Sequence, residues 1–111
     1  MPRKLLLPAL AALLLAACAA KPSFEPAMLV HSVQPIYPPQ LEEIGVNGIA
    51  RVQMRVNTQG SVSNVRVLAA SHQLFGHAAA RAAEQYRFTP AKHNGKTIES
   101  NIYQTFLFRS P

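Results

Sequence analysis

The 111-residue chain carries eleven Lys and Arg against five acids, a formal net charge of +6 at pH 7, and its length allows one small domain with a single core. It contains no Trp, no Asp and one cysteine, Cys18, so an aspartic dyad, an Asp-based triad, an EF-hand loop, an intrachain disulfide and a Cys-rich zinc site are excluded by composition. The positive residues are scattered without a dense run, which fits solvated faces weakly attracted to anionic headgroups and not a nucleic-acid site.

Arg3 and Lys4, followed by the apolar run Leu5–Leu15, form the pattern of a secretory signal. Leu5 to Ala20 gives 16 apolar residues, short of the roughly 20 that a helix needs to span a bilayer. The run closes on Leu15-Ala16-Ala17-Cys18, which resembles the bacterial lipobox. By that resemblance residues 1–17 are a lipoprotein signal peptide and Cys18 is acylated on its thiol after cleavage. Ala19 stands where, in that family, Asp would retain the protein at the inner membrane, so the resemblance implies the outer membrane over the inner as its destination. Each buried methylene contributes roughly 0.8 kcal/mol, so several acyl chains hold a protein firmly where one does so marginally. Without the leader, nine Lys and Arg face five glutamates, a net charge of +4.

Residues 18–33 read as a Pro-containing tether, and Pro22, Pro26, Pro35, Pro38 and Pro39 predict an extended stretch largely without partners until the domain begins. The 15 residues from Ala19 to Val33 reach at most about 50 Å. Pro38 to Gly45 reads as a short helix, with proline in the first turn, Glu42 and Glu43 near its positive end and Gly45 as a stop. Ala50, Val52, Met54 and Val56 alternate with Arg51, Gln53, Arg55 and Asn57, which predicts a half-buried strand. Asn57-Thr58-Gln59-Gly60 is turn chemistry, and Val65, Val67 and Ala69 would form the returning strand, with Val62 out of phase at a bulge.

Ser71 is placed to cap a helix running to about Arg87. Its apolar stripe, from Leu74 and Phe75 through Ala78, Ala79, Ala82 and Ala83 to Tyr86, is rich enough in alanine to predict close approach to a sheet. Pro90 would stop it, and Asn94-Gly95 would turn the chain into a last strand with Ile98, Ile102, Phe106 and Phe108 on one parity and Tyr103 and Leu107 on the other. The order is α-β-β-α-β: an α+β fold in which two helices pack a small three-stranded antiparallel sheet.

Five stretches in this order resemble the C-terminal domain of the TonB family: Gln34-Pro35-Ile36-Tyr37-Pro38, Gly45 to Ala50, Gln59 to Val62, Ala78-Ala79 through Tyr86 to Pro90, and Asn94-Gly95-Lys96. The resemblance runs from about Gln34 to Arg109 and assigns residues 34–110 to the domain. It implies a periplasmic reader of outer-membrane transporters that captures a short N-terminal receptor segment, the TonB box, by adding it as a strand to an exposed sheet edge. In that mode main-chain hydrogen bonds supply affinity and alternate side chains supply specificity. Carried over by position, the peptide-binding edge is the last strand, with Asn101, Ile102, Tyr103, Gln104, Thr105, Phe106, Leu107 and Phe108, and Gln34 lies near the captured peptide.

The chain departs from a full energy transducer of that family, which has a spanning helix with a functional polar residue and a long proline-rich spacer. Here the apolar leader is short and has no ionisable residue in its middle, where a proton-coupled helix would use one. The expectation is a lipid-anchored, noncatalytic binding module facing the periplasm, with the membrane and transporter segments as partners and no nucleic acid. A genuine transducer with its leader retained, and a self-associating envelope lipoprotein forming a homodimer, stay open as alternatives. No cofactor or metal is expected. His72 and His77 are five apart, where a shared helical metal site needs i and i+4, and Ser71-His72 lacks the rest of a triad.

Overall fold

The computed structural model describes residues 22–111; the leader, the lipobox and Cys18 lie outside the described residues. In chain order the elements are β1 (Phe24–Glu25), β2 (Met28–His31), a 3-10 turn (Pro39–Leu41), β3 (Gly48–Val56), β4 (Val62–Ala70), α1 (Gln73–Glu84), β5 (Arg87–Thr89), β6 (Ala91–His93), β7 (Lys96–Ile98) and β8 (Ser100–Phe108). The central sheet is antiparallel and three-stranded, in the order β4-β3-β8. α1 packs against β3 and β4 on one face.

β3 behaves as its alternation requires. Ala50, Val52, Met54 and Val56 are fully buried under the helix, while Arg51 and Arg55 face solvent. Burying each of the larger of these side chains contributes about 1.5–3 kcal/mol. Phe75, Ala79, Ala82 and Ala83 of α1 meet them, and Tyr86, Phe88, Phe106 and Phe108 close the core. The alanine-rich stripe does bring the helix close: a Cβ added at Gly76 would lie 3.2 Å from a Val67 methyl and 3.3 Å from Ala70 Cβ.

The turn after β3 is held by Asn57, whose Oδ1 accepts from Gln59 N at 2.9 Å and Ser61 N at 3.0 Å. The returning strand is bulged twice. Val56 pairs with Val62 and Arg55 with Asn64, so Ser63 is extra; Val52 pairs with Val67 and Arg51 with Ala69, so Leu68 is extra. The first bulge is where Val62 predicts it. The second rotates the strand end, so that Ala70 instead of Ala69 stands opposite Ala50. By contrast, β3 and β8 run in unbroken register from Gly48 opposite Phe108 to Val56 opposite Ser100.

Several elements differ from the sequence reading. Pro38 to Gly45 does not form a helix: a single 3-10 turn ends at Leu41, and the chain leaves through turns. α1 is therefore the one α-helix among the described residues, and the second packing helix is absent there. Eight residues that begin with two prolines and end on a glycine do not repay helix nucleation. The cap of α1 is His72, whose Nδ1 accepts from Leu74 N at 3.0 Å. Ser71 is taken by the sheet, its Oγ accepting from Ile49 N at 3.0 Å. The helix stops at Glu84, and Arg87–Thr89 is strand, drawn out by Phe88 N donating to Gly60 O at 2.9 Å. Asn94 and Gly95, both at positive φ (52° and 79°), turn β6 into the short β7, so Ile98 pairs with Ala91 and does not belong to the last strand.

The largest difference lies before the domain. The proline-containing stretch is extended, but it has partners: β1 pairs antiparallel with β6 and β2 with β5. Ser23 N donates to Asn94 Oδ1 and Asn94 N to Ser23 O, both at 2.8 Å. Residues 23–31 are therefore a strap laid on the domain, and the 15-residue reach does not apply to them.

Candidate functional site

β8 is hydrogen-bonded to β3 on one side and to no other strand among the described residues. A nine-residue edge strand of this kind offers a row of main-chain donors and acceptors to an incoming chain. Its side chains are sorted by the pleat. Phe106 and Phe108 are buried on the helix side and Ile102 packs partly against the same core, with Gln104 half-buried on that parity. Asn101, Tyr103, Thr105 and Leu107 are exposed on the other face.

The exposed row is organised by cations from β3. Arg55 binds Glu99 at 3.0 Å and reaches Asn101 Oδ1 at 3.4 Å. The Arg51 guanidinium lies 5.6 Å from the Tyr103 ring centre, a cation–π contact. Gln104 Nε2 donates to Thr105 O at 3.1 Å, so one edge strand carbonyl already has a side-chain donor.

Gln34 lies beside the second half of β8. It lines a cleft of about 400 Å³ with Pro35, Tyr37, Leu107, Phe108 and Arg109. It also borders one of about 270 Å³ formed by Ser32–Pro35 against Tyr86 and Thr105–Leu107. A third cleft, about 450 Å³, runs from the same segment along α1 past Leu74, His77, Ala78 and Arg81. The structure thus brings Gln34 together with Thr105–Phe108, while Asn101–Gln104 lie away from these clefts.

Tyr37 fixes this segment. Its hydroxyl donates to Val46 O at 2.5 Å and Leu41 O at 3.4 Å, and its ring meets Phe75 edge-on at 5.6 Å. Phe75 in turn packs on Phe108 at 4.7 Å, so one aromatic chain ties the lead-in to the edge strand. Tyr86 lines the smaller cleft, and burial raises its phenol above the ordinary 10.0. The sequence reading does not assign Ser32, Val33, Pro35, Tyr37, Tyr86 or Arg109 to the site. Of these, only Tyr37 carried a signal, an aromatic between prolines in the lead-in motif. The arrangement offers main-chain hydrogen bonds along an edge and side pockets at one end, the chemistry of recognition.

A sequence model of the family described as Gram-negative bacterial TonB protein C-terminal matches residues 33–110. No curated protein matches the chain. Among solved structures, the solution NMR structure of the Pseudomonas aeruginosa TonB CTD is similar in fold, with a TM-score of 0.62 and 21% identity over 75% of this chain and 85% of that one.

Proposed function

The chain belongs to the family of Gram-negative bacterial TonB C-terminal domains, and from that membership we propose that it is a lipid-anchored module that captures extended segments of outer-membrane transporters by strand addition. The family places it in the periplasm as a noncatalytic interaction domain. What supports the capture reading is one observation: among the described residues β8 is paired on one side only, in unbroken register, with Gln34 and Pro35 lining clefts at its second half. An incoming strand would add along Asn101–Phe108, and its alternate side chains would meet those clefts.

Anchoring through Cys18 rests on the lipobox, and the assignment of residues 1–17, 18–33 and 34–110 to leader, tether and domain rests on the sequence. The same leader supports a reader without a motor, since it is short and lacks an ionisable residue in its middle. The test is an NMR titration of the leaderless chain with N-terminal periplasmic segments of the transporters from the same cell. Saturable shifts along Asn101–Phe108 and at Gln34 are expected, and Gln34→Ala should weaken binding without unfolding the domain. Absence of shifts at millimolar peptide refutes capture at this edge.

A further inference from the structure

The face of the central sheet turned away from α1 carries a second surface. Ile49 stands opposite Leu107 and Gln53 opposite Tyr103, and Ile49, Tyr103 and Leu107 are 47%, 52% and 64% exposed. Arg51, Arg55 and Arg66 stand among them, on the parity that faces away from the core. Glu99 is the acid at this face and is bound to Arg55, the one salt bridge among the described residues. The other four glutamates lie elsewhere, in β1, in the turn after Leu41 and at the end of α1. Arg51 and Arg66 are left without a carboxylate, so the face is cationic, with the Ile49–Leu107 pair at one end and Tyr103 beyond the Arg51–Thr105 row.

The strap decides what such a face meets. Ser23 is hydrogen-bonded to Asn94 and the residues after it are paired to β5 and β6, and only five residue steps separate Cys18 from Ser23, a reach of at most roughly 18 Å. With Cys18 acylated, that reach holds Ser23 within roughly 18 Å of the membrane surface. Guanidiniums suit lipid phosphates, and a tyrosine among aliphatic side chains suits the boundary between headgroup and acyl chain. We infer that this outward sheet face docks on an anionic phospholipid surface, seating Ile49, Tyr103 and Leu107 at the interface with Arg51 and Arg66 on phosphates. The β8 edge stays open to a peptide in this pose. The inference rests on the anchoring part of the proposed function and not on peptide capture, so the titration above can fail while this stands.

The chain has no tryptophan, which allows a single reporter to be introduced. Full-length Leu107→Trp and, as a control on the exposed side of α1, His77→Trp are reconstituted through their N-terminal anchor into phosphatidylcholine vesicles with or without phosphatidylglycerol. With phosphatidylglycerol, the Leu107→Trp emission should shift to the blue and be quenched by brominated acyl chains, and high salt should reverse both. The control should stay in water. Arg51→Gln and Arg66→Gln should each reduce the docked fraction's equilibrium constant about fivefold. Tyr103→Trp repeats the measurement should Leu107→Trp not fold. The inference is overturned if both reporters remain in water, if both shift equally, or if neutral vesicles give the same shift. It is also overturned if a transporter segment, in micelles free of anionic lipid, moves the face reporter when anionic vesicles do not; the face then belongs to a protein partner.

Discussion

Gly48 and Phe75 should be coupled in stability. A Cβ placed on Gly48 would lie 2.2, 2.3 and 2.6 Å from three carbons of the Phe75 ring, and that ring is wedged between Tyr37 and Phe108, so it has little room to retreat. Gly48→Ala is therefore an overpacking change, expected to destabilise by about 1–3 kcal/mol. Phe75→Leu removes aromatic contacts from a site only 1% exposed and should cost about 1–2 kcal/mol. In the double variant the shorter side chain vacates the volume the new methyl needs. The combined loss should fall at least about 1 kcal/mol short of the sum, an amount outside the usual additivity of independent sites. Urea unfolding followed by far-UV circular dichroism gives all four stabilities, provided the slopes agree; in a domain of this size about 1 kcal/mol also moves Tm by roughly 4–8 °C. Additivity within about 0.5 kcal/mol would refute the idea that the strand β3 glycine exists to admit the ring.

His72→Ala should destabilise by about 1 kcal/mol through loss of the α1 cap, and His72→Asn, which can still accept from Leu74 N, should recover most of it in the same unfolding assay. Stability should fall as pH rises above 10: the buried Tyr86 phenol has its folded pKa raised above 10.0, so beyond that pH the unfolded chain ionises first and is favoured. Tyr86→Phe should flatten that part of the profile, and an unchanged slope would dismiss the residue as its source. Hydrogen exchange should show the β2 amides opening well before those of β3, since all four β2 residues are exposed while β3 holds the core; equal protection would mean that the strap is an integral layer of the domain.

The parts of the fold legible in the sequence are those whose signal is periodic and local. The two-residue alternation of Arg51 to Val56 and the three-and-four spacing of Phe75 to Ala83 each report one buried face, and both are found. The strap left no such mark. Its residues bury no periodic face, Ala27 alone packing partly on the core, and their main-chain partners lie 56 or more residues away, as with Met28 and Thr89. The capping residue shifted for a similar reason: Ser71 suits either role, and tertiary contact with Ile49 takes it. The helix end was obscured because Tyr86 and Phe88 continue into the core from extended backbone and so prolong an apolar pattern past the helix. At the candidate site, the edge strand was named through family resemblance. Its neighbours Ser32, Val33 and Pro35 depend on where the lead-in crosses the sheet, which no local pattern encodes.

The two bulges of β4 have a consequence for assembly. A three-stranded sheet has two edges, and if both were regular, the β8 edge of one copy could pair with the β4 edge of the next, a head-to-tail contact that does not close and so propagates as a filament. The extra residues Ser63 and Leu68 interrupt the ladder on one side, and a bulged strand twists away from any straight template. The sheet is consequently polar as a polymerising unit: one edge strand is regular and the other is bulged. Head-to-tail pairing of β8 on β4 is thereby disfavoured, and an exposed β8 edge does not by itself make the domain a filament former.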